Sequence, residues 1–485
     1  MTPHVYPRGC AVRSADEIRG KRVTVMGVGL NKGGEESIRF FLKHGAFVTA
    51  TDTKTEEQLL PAIRALREDE SLDAGRLRFV LGKHDAADFE SADIVIKNPV
   101  VKFEGNEFLE RADAAGVPIE TDISIFLSLA KSPVIAVTGS KGKSTTASAI
   151  HYGLTQAGIA AFLGGNITVS PLVFLEQVSE HTPVVLELSS WQLRDLRGRD
   201  ALKPKIALIT AIMNDHQNWY GSMADYVADK KLIYADQDSS DWTICARDSR
   251  GDEFAAETRA AVIRYDAEKI IREKDSPLAK NLLVPGAHNR LNVHNAALAL
   301  GLTGVSMEQC AEIFSRWHGI PHRLEFFHSW NGIRFYNDTT ATVPEAACAA
   351  SQAFEQPVHL ICGGTDKELD FAPLAETLAG KAIAGSASIM PASVYLLAGS
   401  GTDKLVPLLR ERGVHFFGPF DSLDSLLSAL KARLASAAPS AGAQAEIVVF
   451  SPGATSFGMF KNEFDRGDTF KQLVTECFAA GKPRL

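Results

Sequence analysis

The sequence has few features of a secreted, membrane-bound or nucleic-acid-binding protein. No apolar run reaches the roughly 18 residues that cross a bilayer, and the N-terminus has no apolar segment that would direct secretion. The six cysteines are scattered without a C-x-x-C pair, which argues against a structural zinc site or a disulfide framework. The net charge of −8 disfavours nucleic acid as a partner. We therefore expect a cytoplasmic chain that binds no membrane.

A phosphate-binding loop is the strongest motif in the chain. Residues 134–137 form a short apolar strand, and TGSKGKSTT (residues 138–146) follows it and leads into a helix-compatible run. A glycine turn between a strand and a helix directs backbone N–H groups and the positive end of the helix toward an anion. Lys143 would reach the β- and γ-phosphates, and the hydroxyl of Ser144 or Thr145 would bind Mg²⁺. The spacing is two residues shorter than the standard pattern, and the alternative is a plain loop of small residues.

A second glycine turn lies near the N-terminus. Residues 23–52 have the pattern of a βαβ unit, with Gly27 and Gly29 after the first strand and Asp52 after the second. This resembles a dinucleotide-binding fingerprint, but Lys32 stands where the third glycine belongs. The better prediction is a nucleotide or nucleotide-sugar diphosphate, with Asp52 near its uracil or ribose end.

Two further strand ends carry groups that suit a metal ion. Glu187 interrupts an otherwise apolar strand, where a carboxylate is costly unless it is paired or binds a metal. His216 follows the next apolar strand, and ligands bind at the carboxyl ends of parallel strands. We predict that both reach a metal beside the phosphates at Lys143. Asn166, in the turn at 163–167, would touch phosphate or metal, or would simply form a Gly-Gly-Asn turn.

Two helices carry polar residues with less decisive signals. In the helix at 226–234, periodicity alone predicts that Lys230 extends along its apolar face to water, whereas Lys231 points to another face. Asn289 and Asn292 lie near the start of an Ala-rich helix. Their amides could read a purine edge or cap the helix.

The remainder of the chain again alternates strands and helices. Polar loops follow three of its strands, at 337–342, 363–367 and 451–456, which predicts a doubly wound sheet with its loops at one edge. Arg323 precedes this part and is a candidate phosphate ligand. An Ala/Ser/Gly stretch at 435–445 is predicted to be a surface loop.

In order along the chain, these motifs resemble the Mur ligases of peptidoglycan synthesis. The run is TGSKGKSTT, ELSSWQL (187–193), NDH (214–216), GAHNRLN (286–292), PHRLE (321–325), NDTTAT (337–342) and GGTDK (363–367). The resemblance covers residues 23–470. The C-terminal part, with SPGATSF (451–457) and FKNEFDRGDTF (460–470), is most similar to the D-glutamate-adding members.

The resemblance implies an α/β chain of three domains. Residues 1–121 would form an N-terminal Rossmann-like domain that binds a UDP-sugar. Residues 122–320 would form a central P-loop ATPase-like domain with a doubly wound sheet. Residues 321–485 would form a C-terminal Rossmann-like ligase domain that binds the amino acid.

The resemblance also implies an activity, that of an ATP-dependent amide ligase. ATP would phosphorylate the carboxylate of UDP-N-acetylmuramoyl-L-alanine, and the amine of D-glutamate would attack the acyl phosphate. The cofactor would be Mg²⁺, with Mn²⁺ possible, and the chain would be a monomer. One alternative is another ligase of the superfamily, either for a different amino acid or of the polyglutamate type. The others are a nucleotide-sensing protein without catalysis and a dehydrogenase that uses the first βαβ unit.

The resemblance assigns roles to individual residues. Lys143, Lys230 and His216 would be catalytic, and Ser144, Glu187, His216 and a carbamylated Lys230 would hold metal. ATP would meet Gly139, Ser140, Lys141, Gly142, Lys143, Ser144, Thr145, Asn289, Asn292, Arg323 and Asp338. The UDP-sugar substrate would meet Gly29, Leu30, Asn31, Asp52, Thr53, Asn166 and Ser189, and the incoming glutamate would meet Thr342, Lys367, Ser456 and Phe457.

Three positions depart from the pattern of the D-glutamate-adding members. Thr340 stands where lysine is usual, and Glu463 stands where an aromatic residue is common. The first-domain loop reads Asn98-Pro-Val100 in place of Ser-Pro-Gly. These positions bear on the choice of amino acid and sugar nucleotide more than on the ATP chemistry.

Overall fold

The structure is a computed structural model that describes residues 3–29, 33–167, 169–213, 217–381, 388–436 and 445–479. The chain forms two compact units. The first contains Met1–Glu273 and Leu291–Ile313, and the second contains Lys274–Arg290 and Phe314–Leu485. The predicted domain boundaries at 121/122 and 320/321 stay predictions. No helix among the described residues is long and apolar enough to cross a membrane.

The first unit begins with a five-stranded sheet in which all neighbours pair in parallel, in the order β3-β2-β1-β4-β5. Its central strands are buried apolar runs, as expected for a parallel sheet covered by helices on both faces. The strands are β1 (Arg22–Met26), β2 (Phe47–Asp52), β3 (Leu77–Leu81), β4 (Ile94–Lys97) and β5 (Ile119–Glu120). The helices are α1 (Gly33–Lys43), α2 (Leu60–Arg67), α3 (Ala86–Glu90), α4 (Glu107–Ala114) and α5 (Asp122–Leu129).

A second parallel sheet follows in the same unit, in the order β11-β10-β9-β6-β8-β7. Its central strand is the one that leads into the phosphate loop, so the loop lies between the ends of two neighbouring strands. The strands are β6 (Val134–Thr138), β7 (Phe162–Gly165), β8 (Val184–Glu187), β9 (Ile206–Ile209), β10 (Trp242–Ala246) and β11 (Ala261–Tyr265). The helices are α6 (Lys143–Gln156), α7 (Ser190–Arg194), α8 (Gln217–Tyr220), α9 (Met223–Lys231), α10 (Ser249–Glu257), α11 (Ala267–Arg272), α12 (Ala287–Gly301) and α13 (Met307–Phe314). Residues 287–290 of α12 and Phe314 of α13 belong to the second unit.

The second unit contains a six-stranded sheet in the order β12-β13-β17-β14-β15-β16. Its pairs are parallel except β12 with β13, which is antiparallel. The strands are β12 (Glu325–Trp330), β13 (Ile333–Asn337), β14 (His359–Cys362), β15 (Ser393–Leu397), β16 (Phe417–Phe420) and β17 (Ile447–Phe450). The helices are α14 (Pro344–Gln352), α15 (Ala372–Leu378), α16 (Ser400–Glu411), α17 (Leu423–Ser436) and α18 (Glu463–Cys477).

The α/β class with mainly parallel sheets is confirmed, and three local predictions need correction. The expected turn at 163–167 is mostly strand, because β7 continues to Gly165 by pairing with β8. The third sheet has an antiparallel edge strand, β12, that the sequence pattern did not indicate. Helix α17 includes residues 435–436 of the predicted surface loop, and residues 437–444 lie outside the described part.

Candidate functional site

The phosphate loop has the tight geometry that its glycines predict. Gly142 precedes α6 with φ of 92°, a left-handed conformation that favours glycine. A Cβ at Gly142 would lie 2.4 Å from Asn292 Oδ1, and a Cβ at Gly139 would lie 1.9 Å from Thr210 Oγ1. Both positions therefore require glycine for space as well as for backbone conformation.

The start of α6 presents the anion-binding groups. The first helical hydrogen bond runs from the Thr146 N–H to the Gly142 carbonyl (2.9 Å), so the N–H groups of residues 143–145 lie outside the helical ladder. The Lys143 Nζ lies 3.1 Å from the Ser140 carbonyl and thus folds over the same loop. The backbone N–H of Ser140 donates to the Ala211 carbonyl at 2.8 Å and so anchors the loop to the end of β9. An anion is stabilised at such a helix start by both dipole and N–H groups.

Glu187 ends β8 beside this loop and is 1% exposed. One carboxylate oxygen, Oε1, accepts a hydrogen bond from Asn166 Nδ2 at 3.0 Å. The other, Oε2, is buried and has no hydrogen-bond partner among the described residues. An unpartnered buried carboxylate oxygen is costly unless a cation meets it, so the arrangement fits a metal ion.

Lys230 is buried beneath the phosphate loop. Its Nζ donates to the Gly139 carbonyl at 2.8 Å and lies 4.5 Å from the centre of the Tyr226 ring. The side chain is 1% exposed, so the expectation that it extends to water is wrong. The helix face that carries it packs inward, because Tyr226 is buried too and its hydroxyl lies 2.9 Å from Ser140 Oγ.

Lys231 behaves differently from its neighbour. Its Nζ contacts Glu253 at 2.5 Å and Glu257 at 2.7 Å on α10. Partial burial lowers its pKa, but the hydrogen bonds to the two carboxylates raise it more, so the net shift is upward. Lys231 is therefore a half-buried, charged lysine that is paired with two carboxylates, and it lies on a different face from Lys230, as expected.

His216, another residue predicted to hold the metal, lies outside the described residues. Leu30 and Asn31, which were predicted to meet the sugar nucleotide, lie outside them too. Within the described ranges no three His, Cys, Asp or Glu side chains converge to hold an ion. Among the described residues, the Ser144 hydroxyl is a further candidate ligand beside Glu187.

A cleft of about 650 Å³ runs between the loops of the first two sheets. Five residues predicted to meet the sugar nucleotide line it together: Gly29, Asp52, Thr53, Asn166 and Ser189. The cleft also includes Asn98 of the first-domain loop and side chains that sequence reasoning did not select, among them Lys54, His84, Trp191 and Gln192. The volume is typical of a ligand site.

Asp52 organises the N-terminal glycine turn. Its Oδ2 accepts the N–H groups of Val28 (3.0 Å) and Gly29 (3.3 Å), and its Oδ1 accepts the N–H of Lys54 (3.0 Å). A carboxylate that already occupies these N–H groups disfavours a phosphate at the same place. The uracil or ribose end of a nucleotide therefore fits this turn better than the diphosphate.

Buried ion pairs hold the walls of the cleft. Lys97, at the end of β4, pairs with Asp195 at 2.7 Å, and Arg199 pairs with Glu120 at 2.8 Å. All four side chains are almost fully buried. Each pair joins the first sheet to the segment after α7, so the two walls are linked by paired charges that are costly to separate.

The two asparagines of α12 have different environments. Asn289 Nδ2 donates to the Pro285 carbonyl at 2.7 Å, which ties the segment before α12 to its first turn. Asn292 is buried, and its Oδ1 limits the space at Gly142 in the phosphate loop. Only Asn292 is thus placed at the phosphate loop within the first unit.

In the second unit, both carboxylate oxygens of Asp338 accept hydrogen bonds from protein groups. Its Oδ1 accepts the Leu324 N–H at 3.0 Å, and its Oδ2 accepts the Ser451 hydroxyl at 2.7 Å. Burial raises its pKa from 3.8 to about 7, although both hydrogen bonds act in the opposite direction. Arg323, the other predicted ATP ligand here, is exposed.

The loops predicted to bind glutamate meet at one edge of the third sheet. They follow β13, β14 and β17, which are neighbours in the sheet. Thr365 and Thr455 exchange backbone hydrogen bonds (3.2 and 3.0 Å), and the Gly453 N–H donates to the Ala341 carbonyl at 2.9 Å. Thr342 is half-buried, Ser456 is buried, and Lys367 and Phe457 are exposed, Phe457 by 66%.

Comparison with known proteins settles the family. The chain is 41% identical to the UDP-N-acetylmuramoylalanine–D-glutamate ligase of Treponema pallidum, over 95% of this chain and 98% of that protein. It is 37% identical to the ligase of the same name from Borreliella burgdorferi, with the same coverage of both chains. The chain belongs to the Mur ligase family. The family model for the Mur ligase middle domain matches residues 137–301, which contain the phosphate loop, Glu187 and Lys230.

A solved structure supports the fold of this Mur ligase. The UDP-N-acetylmuramate–alanine ligase of Thermotoga maritima is similar over 94% of this chain and 99% of that chain, at 17% identity and a TM-score of 0.53. The likeness concerns the fold alone.

Sequence reasoning missed several residues that build the site of this ligase. Tyr226 and Thr210 hold the phosphate loop from beneath, and neither lies in a recognisable motif. His84 faces the cleft and contacts Thr51 Oγ1 through Nδ1 at 2.8 Å. The sequence signal for His84 was its place directly after the third strand, where ligands also bind.

Proposed function

We propose that this Mur ligase joins D-glutamate to UDP-N-acetylmuramoyl-L-alanine, with cleavage of ATP to ADP and phosphate. The observation that carries the proposal is the match to D-glutamate-adding ligases over 95% of the chain. Three features support it as candidate binding places for the three substrates: the phosphate loop, the 650 Å³ cleft and the loops at the edge of the third sheet.

The chemistry begins with activation of a carboxylate. A carboxylate does not react with an amine, so one oxygen of the L-alanyl carboxylate attacks the γ-phosphorus of ATP and displaces ADP. The start of α6 and the Lys143 ammonium stabilise the charge that develops on the transferring group. The amine of D-glutamate then attacks the acyl carbon, the carbon–oxygen bond to phosphate breaks, and the amine loses a proton.

The groups beside the phosphate loop fit a divalent metal. Glu187 Oε2 is a buried oxygen without a partner among the described residues, and the Ser144 hydroxyl lies in the first turn of α6. Mg²⁺ prefers such oxygen ligands and, when bound, neutralises charge on the ATP phosphates. Mn²⁺ would suit the same site, particularly if His216 contributes a nitrogen.

Lys230 is proposed to act as a carbamate. Its amine would add CO₂ and lose a proton, which replaces a cation by an anion that can face a metal. Burial supports this role, because a buried lysine shifts readily to the neutral amine that the reaction requires. The contact between Nζ and the Gly139 carbonyl also supports this role, because a carboxylate formed on Nζ would lie beside the phosphate loop.

The amino-acid loops of the second unit support an acidic substrate. Lys367 offers an exposed cation beside the Ser456 hydroxyl loop, and Thr342 offers a second hydroxyl. Thr340 stands where lysine is usual. Its hydroxyl donates to the His322 carbonyl at 2.8 Å and so stabilises the loop that contains Thr340. A cytoplasmic location and a monomeric state stay predictions that accompany this function.

The test is substrate-dependent phosphate release. Purified protein with ATP and UDP-N-acetylmuramoyl-L-alanine is offered D-glutamate, L-glutamate, D-aspartate, glycine and L-lysine separately. We expect release only with D-glutamate, and a product heavier than the sugar nucleotide by one glutamyl group. Release with another amino acid alone would assign the chain to a different specificity within the family.

A further inference from the structure

Arg466 is a fully buried arginine in the first turn of α18. Its side chain is 0% exposed. Its guanidinium donates to three oxygens: Nε to Thr339 Oγ1 at 3.0 Å, one terminal nitrogen to the Ala454 carbonyl at 3.0 Å, and the other to the Thr339 carbonyl at 2.8 Å. The planar fork of an arginine suits three acceptors in fixed directions, which a lysine could not match.

The charge of Arg466 has no anionic partner within the described residues. All three acceptors are neutral, and no carboxylate there forms an ion pair with it. Burial accordingly lowers its pKa to about 10, and the negative charge of Glu463 offsets only part of this. Buried charges are normally paired, so an arginine left without a carboxylate carries a cost that a structural role alone would avoid.

The position of Arg466 connects it to the amino-acid loops. Thr339 belongs to the loop after β13 that contains Thr342, and Ala454 belongs to the loop after β17 that contains Ser456. A Cβ at Gly364, in the loop after β14, would lie 3.7 Å from an Arg466 terminal nitrogen. One guanidinium thus lies against all three loops at this edge of the sheet.

We propose that Arg466 is a positioning residue for an acidic amino-acid substrate. It fixes the loops after β13 and β17 in one arrangement, and its unpaired charge keeps the site between them at a positive potential. Glutamate is a dianion apart from its amine, so the field favours it over neutral amino acids of the same shape. The inference rests on the proposed function and adds a residue outside the predicted substrate contacts.

Two substitutions separate the charge of Arg466 from its hydrogen bonds. Arg466→Gln removes the charge, whereas Arg466→Lys keeps the charge and loses the fork. Arg410→Gln is the matched control, because Arg410 is an exposed arginine of the same unit and salt screens its charge. For each variant, kcat and the KM of ATP, of the sugar nucleotide and of D-glutamate are measured, together with the melting temperature.

We expect the Gln variant to raise the KM of D-glutamate by about 10-fold or more, because one unpaired buried charge is lost near a dianion. The KM of ATP should change by less than about twofold. The Lys variant should raise the KM of D-glutamate by less than about threefold while kcat falls, because the charge remains and the loops loosen. The control should match wild type in every constant.

Two results would overturn the inference. One is an equal rise of all three KM values in the Gln variant, which would mean general loosening. The other is a Lys variant whose KM for D-glutamate rises by about 10-fold or more, which by itself decides the matter if the Gln variant does not fold. Failure of the proposed function is distinguishable, because the wild-type enzyme would then lack turnover with D-glutamate.

Discussion

The two glycine turns of the first unit share a backbone plan and differ in what faces their N–H groups. Each follows a buried parallel strand and precedes a helix, α1 after Gly27 and Gly29, and α6 after Gly139 and Gly142. At the first turn, the Asp52 carboxylate accepts the N–H groups of the turn. At the second, a lysine and the start of α6 face the same space.

The difference shows how one turn type serves two ligands. A carboxylate in the first turn repels phosphate and offers acceptors to the hydroxyl or N–H groups of a nucleoside. A helix start with Lys143 attracts phosphate. Backbone geometry alone therefore does not define the ligand, and the charged side chain beside each turn decides it.

The largest expected effect comes from a substitution in the second glycine turn, the phosphate loop. Lys143→Ala should lower kcat for phosphate release by about 100-fold or more, because the point charge at the transferring phosphoryl group is lost. Lys203→Ala, which removes an exposed lysine that pairs with Asp238 in the same unit, is the control and should retain wild-type turnover. Turnover near the wild-type rate in the Lys143 variant would show that this turn does not hold the reacting phosphate.

A second pair of substitutions tests the role of Lys230, which lies beneath the phosphate loop. Lys230→Ala should lower kcat by about 10- to 100-fold, whereas Lys231→Ala should have little effect because its contacts are with Glu253 and Glu257. Short carboxylic acids should partly restore the Lys230 variant by supplying an anion. Bicarbonate should stimulate CO₂-depleted wild type but not this variant.

The carbamate role would be contradicted by two observations together. One is similar damage from the Lys230 and Lys231 substitutions. The other is the absence of any rescue by carboxylic acids. Such results would leave Lys230 with a packing role on the buried face of α9.

A third substitution breaks the first turn. Asp52→Asn should raise the KM of the sugar nucleotide by about 10-fold, since the amide accepts the turn N–H groups less strongly. The KM of ATP should stay constant because the second turn is untouched. Asp16→Asn, at an exposed position of the same unit, provides a control for loss of one carboxylate charge. An unchanged KM for the sugar nucleotide would separate Asp52 from that ligand.

The smallest expected effect concerns protein stability and involves Asp338, which accepts one backbone N–H and one hydroxyl. The folded pKa of Asp338, about 7, lies above 3.8, so its stabilising contribution is full below pH 3.8 and is lost as pH rises through about 7. Asp338→Asn removes this titration. From pH 4 to 7 the variant should gain about 2–4 kcal/mol in unfolding free energy relative to wild type.

Thermal melting across that range measures the Asp338 effect. The difference between variant and wild type should grow steadily with pH. Asp421→Asn, at an exposed position of the same unit, is the control and should show no such trend. A difference that stays constant from pH 4 to 7 would mean that Asp338 remains ionised throughout.

The sequence was informative where function depends on contiguous residues. The phosphate loop needs a strand, two glycines, a lysine and a helix start in succession, so all its parts are visible in one short run. The Gly27 turn was recognised in the same way. Glu187 was found because a carboxylate in an apolar strand contradicts its surroundings.

The sequence was less informative where long-range packing decides. Lys230 was expected to reach water, because periodicity shows which face it shares but not whether that face is covered. Arg466 received no role from the sequence, and only the tertiary contacts with Thr339 and Ala454 show that it is buried among the amino-acid loops. The antiparallel strand β12 was missed because pairing partners are not local.

The central claim is that ATP activates the L-alanyl carboxylate before D-glutamate attacks. Labelling that carboxylate of UDP-N-acetylmuramoyl-L-alanine with ¹⁸O tests it most directly, by mass spectrometry of the phosphate released. If an acyl phosphate forms, each turnover with D-glutamate transfers one ¹⁸O atom to inorganic phosphate, because the bridging oxygen leaves with the phosphoryl group. Unlabelled phosphate released at the rate of product formation would contradict the account.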